Sequence, residues 1–129
     1  MKSQSPHLLI FSVFQSNMPA DQNYKAHLST QETLKLSGIP YIPVQGAYKG
    51  VKELGFIVSA DQRKVVDDIC KQYNQESYLE HHNDRYCELI CADGTSKPLG
   101  TMVETTKDKA EKSDAYTLTP DGRYFVVEE

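Results

Sequence analysis

Apolar residues fall in short dense runs along this chain, set between polar stretches with helical spacing. The run "LLIFSVFQS" (8–16) is almost continuous in branched and aromatic side chains. That predicts a strand buried on both faces, central in a sheet. "NMPADQNYKAHLSTQETLKLSG" (17–38) predicts a helix, with Asp21 as N-cap, Tyr24, Leu28 and Leu34 on its inner face, and Gly38 just past its end. In "IPYIPVQGAY" (39–48), Pro40 and Pro43 predict an extended piece at a sheet edge. "GAYKG" then turns the chain on Gly46 and Gly50, and "LGFIVSA" (54–60) returns as a short buried strand.

The strongest helical pattern is "SADQRKVVDDICKQYNQ" (59–75). Ser59 or Asp61 caps it, Val65, Val66, Ile69, Cys70 and Tyr73 form one apolar stripe, and Asn74 closes it in a left-handed conformation. The second half reads mostly as strand. "ESYLEH" and "RYCELICA" are joined by the turn-prone "HND", "ADGT" marks a tight turn, and "LGTMVETT" returns. "KDKAEKSD" (107–114) reads as a charged, flexible loop, and "AYTLT" and "YFVVE" form a terminal hairpin around "PDGR". Together these elements predict one α+β domain over 1–129: a mainly antiparallel sheet with two helices on one face, ending in a β-hairpin.

Composition narrows the function classes. A chain of 129 residues with 39% hydrophobic and 25% charged residues fits a single soluble core. Its net charge of −4 disfavours binding to a nucleic-acid backbone, which relies on clustered Lys and Arg. No apolar run has the length to cross a bilayer, and the N-terminal apolar stretch, broken by Ser12, reads as a strand rather than a signal peptide. Three cysteines without framework spacing point to reduced thiols and a cytoplasmic setting.

Chemical signatures are sparse. There is no P-loop, dinucleotide-type glycine pattern or HExxH. His81 and His82 are adjacent, so on a strand they face opposite ways. With Cys87 and Cys91 they match no common zinc spacing, so neither a metal nor another cofactor is expected. Cys70 belongs to an apolar stripe, and Cys87 and Cys91 sit within a strand, which suits inert thiols better than nucleophiles. One polar set is better placed. Ser16 and Asn17 end the first strand, Gln45, Tyr48, Lys49 and Glu53 surround the following turn, and Gln75 and Glu76 follow the second helix. If these three pieces meet at one sheet rim, they suit hydrogen-bonded recognition of a small polar ligand.

"FSVFQSN", "LKLSGIPYIPVQGAYKG", "ELGFIV", "DDICKQYNQESYL" and "LICADG" resemble a family of small bacterial and phage proteins known only as a domain of unknown function. The matching positions are Ser16, Gly46, Tyr48, Gly50, Glu53, Phe56, Tyr73, Gln75 and Glu76, within residues 8–95. The resemblance implies a compact α+β domain, often phage-encoded, and brings no activity with it. Two functional readings stay open. One is an accessory protein that binds a host protein or a small polar ligand to modulate it, with free edges of the terminal hairpin offering a route to a homodimer. The other is a small enzyme acting on a nucleotide or similar anionic metabolite. There Lys49 would meet the anion, Glu53 or Glu76 would serve as acid or base, and Tyr48 and Gln75 would orient the substrate.

Overall fold

The computed structural model describes residues 7–15, 17–48, 51–82 and 86–128, with the side chain of Tyr48 left aside. Among the described residues, eight strands and three α-helices follow in the order β1 (Leu8–Phe11), α1 (Ala20–Leu36), β2 (Ile42–Tyr48), β3 (Val51–Ser59), α2 (Arg63–Gln72), β4 (Ser77–His81), β5 (Tyr86–Cys91), β6 (Ser96–Thr105), α3 (Lys107–Lys112), β7 (Ala115–Leu118) and β8 (Tyr124–Glu128). The strands close into an antiparallel barrel in the spatial order β1-β3-β2-β7-β8-β6-β5-β4. The α+β reading holds in outline. Closure of the sheet and the third helix were not foreseen.

Closure follows because β1 and β2 are each paired on both sides. β1 pairs with both β3 and β4 (Leu9 opposite Val58 and Glu80), and β2 pairs with both β3 and β7 (Gln45 opposite Leu54 and Leu118). β2 is therefore not an edge strand. Pro43 is tolerated because the β2–β7 ladder begins only at Gln45, so the missing N–H leaves no gap there. β7 and β8 are each paired on both sides, and the free edges expected of the terminal hairpin are taken up within the barrel. The expected turn residues Lys49 and Gly50 lie outside the described residues. Gly46 lies inside β2 rather than in a turn, and a Cβ there would stand 3.2 Å from the Tyr116 carbonyl oxygen.

An eight-stranded barrel has interior room for side chains only, so the helices pack outside it. Leu9, Phe11, Phe56, Val58 and Tyr78 share one wall face by register and meet Leu34, Ile39, Val66, Ile69 and Cys70 from the helical side. This cluster between wall and helices is the main core. β3 is buried on both faces from Gly55 to Val58, as its continuous apolar pattern predicts. Its backbone also passes very close to β1. A Cβ built on Gly55 would stand 2.6 Å from the Phe11 carbonyl oxygen. Gly55→Ala is expected to lower stability by about 2–3 kcal/mol, read as a lower urea midpoint at unchanged m-value; an unshifted midpoint would show that the two strands have room to part.

α1 presents a different face from the one predicted. Asn23, His27, Thr30 and Leu34 are buried, while Tyr24 and Leu28 are exposed. Asn23 sets this rotation. Its carboxamide accepts from the Gln15 N–H at 2.8 Å and donates to the Gln15 carbonyl at 2.9 Å, pinning the helix to the chain after β1. His27 stacks on Phe56 (centroids 4.4 Å, planes 9° apart). The N-cap is Pro19, without a side-chain cap bond, and not Asp21. The C-terminus closes on Gly38 at φ +69°, with Gly38 N–H donating to Lys35 and Ile39 N–H to Leu34.

A 3₁₀ turn (Ala60–Gln62), capped by the Ser59 hydroxyl, leads into α2. α2 buries Val66, Ile69 and Cys70 and ends at Asn74, whose φ of 55° is left-handed. Segment 107–114 is not a loop throughout. Thr106 caps α3 through its hydroxyl, and Ala110, fully buried, anchors it against β7 and β8. The three cysteines are free; burial pushes the Cys70 thiol up to about 12 and the Cys87 thiol up to about 11, which keeps both unreactive. Among the described residues, no helix is long and apolar enough to cross a membrane.

Candidate functional site

A groove runs along the outer wall of the barrel beside α1. One part, about 320 Å³, is lined by Phe14, Ala20, Tyr24, Gln45, Gly46, Lys52, Glu53, Leu54 and Tyr116. An adjoining part, about 360 Å³, shares Gln45 and Leu54 and runs on past His27 and Pro43 to Leu118 and the turn at Thr119–Gly122. Ala20, Tyr24 and His27 come from positions i, i+4 and i+7 of α1, so one helix face supplies one wall. Gln45, Leu54 and Leu118 are directly opposite one another on β2, β3 and β7 and make the floor. Each part is of the size that a small metabolite fills.

Three aromatic residues, Phe14, Tyr24 and Tyr116, and one acidic residue, Glu53, are among the residues that line the first part. Burial raises the Glu53 pKa, and the nearby Ser12 hydroxyl offsets some of that rise. A half-buried carboxylate of this kind gains from a cationic partner brought in by a ligand. Lys52 stands beside it, exposed, at the rim. In the second part His27 is 5% exposed, and burial lowers its pKa, which disfavours the charged ring.

Of the residues singled out in the sequence, Gln45 and Glu53 line the groove. Gln75 approaches it from behind: its Nε2 donates to the Phe14 carbonyl at 2.6 Å, so its side chain is engaged in holding the groove wall. The three chain pieces around 14, 45–53 and 75 thus adjoin one another. Asn17 and Glu76 are exposed; the Glu76 carbonyl accepts from the Ala92 N–H, and neither residue lines the groove. Ser16 and Lys49 lie outside the described residues, as does the side chain of Tyr48. Phe14, Tyr24 and Tyr116 were not singled out. Tyr116 is far away in sequence, and only the β2–β7 pairing brings it to Gln45 and Gly46.

A separate cluster of metal-ligating type occurs at the opposite end of β1. Donor atoms of His7, Glu80 and His82 all lie within 4.8 Å of one another. His82 belongs to it and His81 does not, and neither Cys87 nor Cys91 takes part.

A family model matches the chain. The model of the S-adenosylmethionine lyase family covers residues 9–128. No curated protein matches the chain. The family match overturns the resemblance to small bacterial and phage proteins of unassigned function, because agreement along almost the whole chain outweighs short motifs confined to 8–95. A lyase family also favours the enzyme reading over the accessory, host-modulating one, and it lends no support to a phage origin.

Proposed function

Because the chain belongs to the S-adenosylmethionine lyase family, we propose that it cleaves a carbon–sulfur bond of S-adenosylmethionine in the groove beside α1. The observation that carries this reading is that one cleft is lined by the half-buried acidic residue Glu53 together with Phe14, Tyr24 and Tyr116. The substrate has a sulfonium, an ammonium and a flat heteroaromatic base. Aromatic faces attract a sulfonium through the ring quadrupole, and the one carboxylate suits the ammonium.

A lyase breaks its bond without water, and the sulfonium makes an internal route available. An oxygen of the substrate's own carboxylate bonds to the γ-carbon. The carbon–sulfur bond breaks, and its electron pair passes to sulfur, which leaves as a neutral thioether. No proton moves, so the route needs no catalytic base. Two opposite charges disappear on the way to the transition state, and the mainly apolar lining of the groove favours such a step. A carboxylate against the sulfonium would stabilise the ground state more than the transition state. Glu53 therefore serves better on the ammonium, which leaves the substrate's carboxylate free to reach the γ-carbon. The aromatic rings hold the sulfonium weakly, without over-stabilising it.

The test is direct. Purified protein incubated with S-adenosylmethionine should release a thioether nucleoside, whereas S-adenosylhomocysteine, which lacks the sulfonium, should persist. Folded protein that consumes neither compound over many hours would remove the lyase reading.

A further inference from the structure

The side chains around Glu80 sit far from the groove, and the proposed reaction makes no use of them. Glu80 and Glu88 are directly opposite each other on β4 and β5. Like charges in that position repel, and Glu80 is only 4% exposed. Two imidazoles converge on the same pair. His7 Nε2 is 2.5 Å from Glu80 Oε2, and His82 Nε2 is 2.6 Å from Glu88 Oε1 and 3.9 Å from Glu80 Oε2. The rings are held in place: His82 stacks on Tyr86 (4.3 Å, 12°) and lies 4.8 Å from the His7 ring. Arg63 grips Glu80 from behind with two hydrogen bonds, Nη1 to Oε1 at 2.9 Å and Nη2 to Oε2 at 2.6 Å.

We propose that His7, His82, Glu80 and Glu88 form a binding site for a divalent transition-metal ion, with Zn²⁺ the best fit. Two imidazole nitrogens and two carboxylate oxygens are borderline donors of the kind that Zn²⁺ accepts in a four-coordinate shell. Donors on a tetrahedral zinc lie roughly 3.4 Å from each other, from bond lengths of about 2.0–2.2 Å. Donor atoms of His7, Glu80 and His82 lie within 4.8 Å of one another, with separations of 2.5 and 3.9 Å that straddle that value, so modest shifts bring these three onto one ion, and Glu88, 2.6 Å from His82, supplies the fourth donor. With no cation between them, a hydrogen-bonding proton lies between each imidazole Nε2 and its carboxylate oxygen. A bound ion displaces those protons and neutralises both carboxylates together. Arg63 acts as the outer partner that orients Glu80. His7 and His82 precede β1 and follow β4, neighbouring strands of the barrel, so an ion would clamp the β1–β4 seam that helps close it. The site is structural and does not depend on the lyase reading.

Protein stripped with a chelator and titrated with Zn²⁺ against a chromophoric competitor should bind one equivalent and gain thermal stability. Co²⁺ should give the visible absorption of a four-coordinate site. His82→Ala and Glu88→Gln should each weaken Zn²⁺ binding by roughly 10- to 100-fold or more. Glu88→Gln keeps the shape of a half-buried strand residue, so it reports even if His82→Ala fails to fold. Weakening by His82→Ala with unchanged affinity in Glu88→Gln would keep the site with three protein donors. No stoichiometric binding, or Zn²⁺ affinity unchanged in both variants, overturns the proposal.

Discussion

Glu53→Gln is expected to lower kcat/KM for S-adenosylmethionine by roughly 10- to 100-fold, the loss of one charge-assisted hydrogen bond to a cationic substrate group. The pH dependence gives the sign. Glu53 must be ionised to meet the ammonium, and its pKa in the free protein is raised by burial. The kcat/KM profile should therefore fall as pH drops, with a midpoint above the usual glutamate range. The glutamine variant should lose that limb. Stability moves the other way. A carboxylate with a raised folded-state pKa favours the fold while protonated. That contribution is lost as pH rises through the folded pKa. At neutral pH the variant should melt at the same temperature as the parent or slightly higher. Equal kcat/KM for the two proteins across the acid range would take Glu53 out of the site; a large drop in melting temperature would make it a structural residue.

Phe56→Ala is expected to carry the largest stability loss, about 3–5 kcal/mol, or a fall in Tm of roughly 10 °C or more. Phe56 is fully buried. It touches Phe11 and Tyr41 in tilted and edge contacts and stacks face to face on His27. Truncation opens a cavity between barrel wall and α1 and frees the imidazole that lines the groove, so substrate affinity should fall as well. A loss below about 1 kcal/mol in urea denaturation would mean that the wall and helix collapse onto each other at little cost.

Much of the secondary structure was legible because each element carries its own local signal. The stripe of α2 and its left-handed Asn74, the Gly38 closure of α1 and the two-sided burial of β3 all follow from nearby residues. Barrel closure was not legible, since nothing local states that β1 pairs with both β3 and β4. The rotation of α1 was misread for a physical reason. Periodicity assumes that apolar residues go inside, yet Asn23 is buried at low cost by two hydrogen bonds to Gln15, while Tyr24 turns to the groove. α3 was missed because its only apolar anchor is Ala110. Gln45 and Glu53, singled out in the sequence as polar residues beside a turn, are among those that line the groove. The aromatic lining was not legible, because Phe14 passes for core and Tyr116 arrives only through β7.

The bond from the Gln75 amide to the Phe14 carbonyl gives the loop after α2 a second duty. Whatever sets the length of that loop also bears on where the Phe14 backbone stands, and hence on the wall of the groove proposed to take the substrate. Insertions between Gln72 and Ser77 should then be tolerated poorly by turnover even where the fold absorbs them, and variation in this loop offers a way to tune which sulfonium compounds enter.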